Sequence, residues 1–287
     1  MATTSTRSLV RGKPVGLALV RDAEVLGAEP FFHELIAGME RVLVPQGVSV
    51  RMQVVASVAE SAQRIRRWSA GRQVQGVVLI DLVPGDERVG LVTSLGLPAV
   101  VIGDPRTADG LPCVWTQDDV AMRDVVGSLA RYGHTHIGHV TGPTQMAHTI
   151  IRRQTFVEAA HELGLRTSSF DGDYSEASGV RAVSALAGQP DRPTALVFDN
   201  DVMALGALQE AARLGLRVPD QLSLVAWDDS ALCQLADPPL SAVSHDVQAL
   251  GEVAGRALAD VLRGDPPRVI KAAPALLVAR QSLDGAR

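Results

Sequence analysis

Six short apolar runs lead directly into a polar residue: LALVRD at Asp22, GVVLID at Asp81, VVIGD at Asp104, IGHVTG at Thr141, LVFDND at Asn200 and LVAWDD at Asp228. Continuous β-branched runs of this length are the mark of strands buried on both faces. In an open parallel sheet, ligands bind outside the carboxyl ends of the strands, where strand order reverses. The pattern therefore predicts a binding cleft. Between the runs the period changes: Phe32, Leu35, Ile36, Met39, Val42 and Leu43 fall on one face of a helix. The same reading places helices near 58–70, 120–132, 149–163, 176–187, 201–214 and 246–263. Strands are expected near 48–55, 76–80, 99–102, 136–140, 195–198 and 223–227, with two short ones inside 268–279. Gly133, Gly164 and Gly215 each follow a helix, where a left-handed closing residue is tolerated.

Alternating strands and helices define an α/β fold, and 287 residues suffice for two doubly wound parallel-sheet subdomains. Aromatic residues are only 3% of the chain, which suits aliphatic parallel strands better than a β-sandwich. Cys113 and Cys233 are too few and too far apart for a disulfide framework or a four-cysteine zinc site, so a reducing, cytoplasmic setting is expected. No stretch approaches the roughly 20 apolar residues of a membrane helix, and no signal-type segment is seen. The net charge of −5 argues against the main body as a nucleic-acid surface. Residues 1–13 differ: they hold Arg7, Arg11 and Lys13 without an acid and read as a basic tail.

Asp228 and Asn200 both follow buried strands. Two planar polar groups at neighbouring strand ends can each share two hydrogen bonds with the vicinal hydroxyls of a sugar. Asn200 and Asp201 have a second reading, as caps of the helix that follows. Phe31 and Phe32 open the first helix and face different directions, so Phe31 is the candidate ligand wall and Phe32 the core residue. Trp227 reads either as core or as part of the site. His134, His136 and His139 invite a metal reading, but His139 points opposite to the other two along a strand, so no metal site is expected there. No G-x-S-x-G elbow, P-loop, H-E-x-x-H or dinucleotide fingerprint occurs, and neither an enzyme activity nor a cofactor is expected.

EPFFHELIAGME (29–40), GLPAVVIGD (96–104), GHTHIGHVTGP (133–143), FDNDVMALGAL (198–208), RVPDQLSLVAWDDS (217–230) and PPLSAV (238–243) occur in one chain in this order. Together they resemble the effector-binding core of LacI/GalR-type bacterial transcription regulators, which shares its fold with periplasmic sugar-binding proteins. The resemblance implies two subdomains joined by three chain crossings, one of 14–132 plus 244–270 and the other of 133–243 plus 271–287, with a small ligand clamped between them. It implies that Arg152 binds the effector, with Arg153 as its solvated neighbour. It further implies that Tyr174 stacks on the ligand, that His245, which reads equally as a hinge-loop residue, faces it, and that either Asp118 or Asp119 is the ligand-facing acid. His148, one turn before Arg152, is a further candidate. It also implies a homodimer that meets operator DNA through a helix-turn-helix ahead of the core, where this chain has 13 residues. The expected effector is a sugar or polyol, with nucleosides and purines as the other class the fold binds. The alternative function is a sugar-binding protein of a transport system.

Overall fold

The computed structural model describes residues 9–21, 30–186 and 188–285. Asp22 and the first eight residues of the basic tail lie outside the described residues. The chain forms two compact units, residues 1–117 with 246–273 and residues 118–245 with 274–287, so it passes from one to the other three times.

In the first unit, β1 (Val15–Val20), β2 (Val50–Val55), β3 (Val77–Leu79), β4 (Ala99–Ile102) and β5 (Cys113–Trp115) are parallel strands. The second unit holds β6 (His136–Thr141), β7 (Arg166–Asp171), β8 (Ala195–Phe198), β9 (Ser223–Trp227) and β10 (Ser241–Ser244), also parallel. β11 (Val269–Lys271) then joins β5 in the first sheet, and β12 (Leu276–Val278) runs antiparallel beside β10 in the second. The orders are β11-β5-β4-β3-β1-β2 and β12-β10-β9-β8-β6-β7. Strand order thus reverses between β1 and β3 in one sheet and between β6 and β8 in the other. Those reversals fix where each sheet can hold a ligand.

The helices of the first unit, α1 (Phe31–Leu43), α2 (Val58–Ala70) and α3 (Glu87–Ser94), are followed in the second by α4 (Asp118–Arg131), α5 (Ala147–Glu162), α6 (Glu176–Leu186), α7 (Asp201–Arg213) and the short α8 (Ala231–Leu235). α9 (Val247–Arg263) returns to the first unit. α1 and α9 cover one face of the first sheet, with Phe32, Leu35, Met39, Leu250, Ala254 and Leu258 packed on Leu17, Leu19 and Val100. Ile65, Trp68, Val89 and Val92 cover the other face. Burial of such aliphatic surface is the main favourable term in both units.

The helix near 120–132 corrects the expected division. Gly133, which closes this helix, places it in the first half on sequence alone. Its apolar face, Ala121, Met122, Val125, Val126 and Leu129, packs instead with Phe156, Ala159, Val197 and Trp227 of the second unit. The crossing therefore falls between Gln117 and Asp118. The helix follows its buried stripe, not its place in the strand-helix count.

Candidate ligand-binding site

In the second sheet the reversal brings the ends of β6 and β8 together, and Thr141, Gly142, Asp199 and Asn200 stand there. Asp199 binds both sides of it. One carboxylate oxygen lies 2.9 Å from His139 Nε2, and the other accepts from the Gly142 N–H at 2.8 Å. Burial pushes this carboxyl up, yet the charges and hydrogen bonds of His139, Arg152 and Gly142 hold it at about 2. The sequence does not single out Asp199 or His139 for the site, and the polar run Asp199-Asn200-Asp201 is the signal that marks this strand end.

Arg152 projects from α5 beside this pair. Its Nε donates to Asp118 Oδ1 at 2.7 Å, its Nη2 lies 2.6 Å from the same oxygen, and its Nη1 donates to the Asp199 carbonyl at 3.2 Å. The guanidinium carbon lies over the Trp227 ring, 3.9 Å from its centroid. Burial works against this charge, but Asp118 and then Asp199 more than offset it, so the group stays protonated. A desolvated cation–π contact contributes about 2 kcal/mol. Removing a partner from a buried ion pair costs about 3–5 kcal/mol. The carboxylates, more than the ring, hold Arg152. Asp118 rather than Asp119 is its acid partner, because Asp118 is buried at the first turn of α4 while Asp119 is half-exposed.

Tyr174 is buried, with its backbone in the left-handed region at φ +68°. Its hydroxyl is 2.5 Å from His148 Nε2, one turn before Arg152 on α5, and the two rings stack with centroids 6.3 Å apart. Gly142 has no side chain because the Tyr174 ring occupies the space: an added Cβ would meet that ring at 2.3 Å. Asn200 takes the capping role. Its Oδ1 accepts from the Met203 N–H at 2.9 Å, closing the start of α7, and its Nδ2 donates to the Tyr174 carbonyl at 3.0 Å. It thereby fixes the loop that carries Tyr174.

Asp228 also has a left-handed backbone, φ +70°, which turns its side chain out of the line of β9. Its Oδ1 lies 3.2 Å from His245 Nε2, and both side chains are about one-fifth exposed. Asp229 pairs with Arg280 at 2.7 Å and ties the C-terminal segment to this loop. The three histidines of the strand go separate ways: His134 to Thr194, His136 to Ser168 and His139 to Asp199.

The first unit has its own strand-end cluster. Arg21 and Asp81 leave β1 and β3 at the reversal and pair at 3.0 Å, with Arg21 placed 5.2 Å above the Phe32 ring centroid. Arg88, fully buried and bidentate on Asp86, donates to the Asp81 carbonyl at 2.9 Å and holds that loop. Phe32 is core and Phe31 is half-buried at its side, their rings edge to face. Asp104 is a strand-end acid only in sequence. It caps its own turn and chelates Arg106.

The acid limb of stability should report Asp199. A carboxyl depressed to about 2 stabilises the fold above its unfolded value near 4 and loses that contribution as pH falls towards 2. The difference in unfolding free energy between wild type and Asp199→Asn should therefore shrink by about 2 kcal/mol from pH 5 to pH 2. Urea titrations across that range measure it.

A family profile described as a periplasmic binding protein-like domain matches residues 126–283. The chain belongs to the LacI family of transcriptional regulators, with the two units forming their periplasmic-binding-protein-like core. It is 31% identical to the HTH-type transcriptional repressor CytR of Escherichia coli over 241 residues, 82% of this chain and 70% of that protein. A LacI family regulator from Bifidobacterium animalis superimposes with a TM-score of 0.89 at 30% identity, over 97% of this chain and all of the other. The regulator CelR, solved in complex with cellobiose, matches with a TM-score of 0.85 at 26% identity, over 96% of this chain and 86% of that one. Among the described residues no helix is long and apolar enough to cross a membrane.

Proposed function

We propose that this chain is the ligand-sensing core of a cytoplasmic LacI-type repressor and that its effector is a small neutral sugar or polyol. The observation that carries the reading is the buried Arg152 guanidinium. It is clamped by Asp118, backed by Trp227, and coupled electrostatically to Asp199, Tyr174 and Asp228 at the strand ends of one sheet. A forked donor set and a strand-end carboxylate are what a ring of hydroxyls needs. Thr141 Oγ1, Trp227 Nε1 and His139 Nδ1 are buried there with no hydrogen-bond partner among the described residues, a cost retained where function requires it. The cellobiose bound to CelR supports a saccharide.

In this reading Arg152 donates to ligand hydroxyls and Asp228, oriented by His245, accepts from them. Tyr174 walls the site under the control of His148 and Asn200. An effector that binds one conformation more tightly shifts the population by that difference, and in a homodimer carrying helix-turn-helix segments this changes operator affinity. No catalytic step is proposed. Calorimetric titration with cellobiose, monosaccharides and nucleosides tests the assignment. Asp228→Asn should weaken the bound saccharide at least tenfold while leaving the melting temperature within a few degrees. Unchanged affinity removes Asp228 from the site.

A further inference from the structure

Hydroxyl binding does not by itself require the charge arrangement around Arg152. Asp118, Asp199 and Asp228 all act on that guanidinium. Asp199 is the deepest, its side chain fully enclosed, with Oδ1 3.7 Å from Arg152 Nη1. Sites that receive phosphate or carboxylate offer unspent cations and free backbone N–H groups, above all at turns leading into helices. Here those donors are already taken by the protein's own side chains. The Gly142 N–H, at the turn between β6 and α5, goes to Asp199 Oδ2 at 2.8 Å, and the Met203 N–H, at the start of α7, goes to Asn200 Oδ1 at 2.9 Å. Asp201 adds another carboxylate in the first turn of α7, bonded to Ser230. Asp199 therefore takes the Gly142 N–H that an anion would use and shares the Arg152 charge with Asp118.

We infer that Asp199 is a specificity-determining residue of this site, a built-in anion that restricts the effector to polyhydroxylated molecules that are neutral or bear an amine. Phosphorylated and acidic counterparts meet Asp118, Asp199 and Asp228 at close range, and like charge discriminates by repulsion where hydroxyl contacts alone would not. The inference rests on the effector-site reading given above and names the chemical class that site accepts.

The test uses matched probes: glucose, glucosamine, glucose 6-phosphate and gluconate, cellobiose, and adenosine against its 5′-monophosphate. Each is titrated into the wild type, Asp199→Asn, Asp199→Glu and His139→Gln. In the wild type the anionic member of a series should bind at least tenfold more weakly than its neutral parent, with the amine at least equal to the parent. Asp199→Asn should raise the anion-to-parent affinity ratio at least tenfold, a lower bound for one charge acting across a few ångströms outside bulk water. Asp199→Glu, which restores the charge, and His139→Gln, which leaves it in place, should not. A wild type that prefers the phosphorylated member, or an Asp199→Asn ratio within twofold of wild type, overturns the inference. Arg152→Ala separates the two readings: if the parent sugar binds it as well as it binds the wild type, the effector assignment fails and not the charge argument alone.

Discussion

Arg152→Ala is expected to abolish effector binding and to lower the unfolding free energy by about 3–5 kcal/mol, the cost of leaving buried carboxylates without their cation. Both effects come from one geometry. Asp118 loses its 2.7 Å and 2.6 Å contacts, Asp199 loses a counter-charge, and Trp227 loses the group stacked on its ring. Two further variants divide the loss. Arg152→Lys keeps the charge but not the fork, so it should recover much of the stability and little of the binding. Asp118→Asn in the Arg152→Ala background should return part of the lost stability, because it removes one of the stranded charges. Urea unfolding and calorimetry on the same preparations read both quantities. If Arg152→Ala is as stable as wild type, the charge network does not hold the site as described.

Gly179→Ala is expected to destabilise the second unit by about 3 kcal/mol, at the severe end for overpacking, because the clash is with backbone. α6 and α7 approach so closely that a Cβ on Gly179 would stand 1.8 Å from the Met203 carbonyl oxygen, and one on Gly206 would stand 2.3 Å from that of Glu176. No flexible side chain is available to give way. α7 begins at the Asn200 cap, so separating the two helices should also loosen Tyr174 and weaken effector binding. Gly90→Ala in α3 provides the control. Nothing lies within 4 Å of its added Cβ, and the position is exposed, so it should gain up to about 1 kcal/mol of helix propensity. Thermal unfolding of the pair distinguishes close approach from a general intolerance of added methyl groups.

The parallel core strands were legible because a strand buried on both faces must be apolar throughout. Gly76 to Ile80, Ala195 to Phe198 and Ser223 to Trp227 announce themselves in this way. β7 was missed for the converse reason. RTSSFD lies at the edge of its sheet, with its side chains exposed or half-buried, and carries no apolar run. β5 and α3 are too short for either period to register. The site was legible where chemistry is local: Arg152 and His148 one turn apart on a helix, and Asp228 at a strand end. It was not legible where partners are distant in sequence. Asp199 meets His139 across 60 positions, and Asn200 meets Tyr174 across 26. Capping of α7 is one of the two readings open for Asn200 in the sequence, and its Oδ1 makes that cap. Which half owned the helix after Gln117 also lay beyond periodicity, since an apolar stripe shows that a helix is buried without showing against what.

The most direct measurement of the central claim is a crystal structure of the chain with a saccharide that calorimetry shows to bind. Ring hydroxyls are expected within hydrogen-bond distance of Arg152 and Asp228, beside the Tyr174 wall. A saccharide bound elsewhere, with Arg152 and Asp228 untouched by it, would contradict that claim.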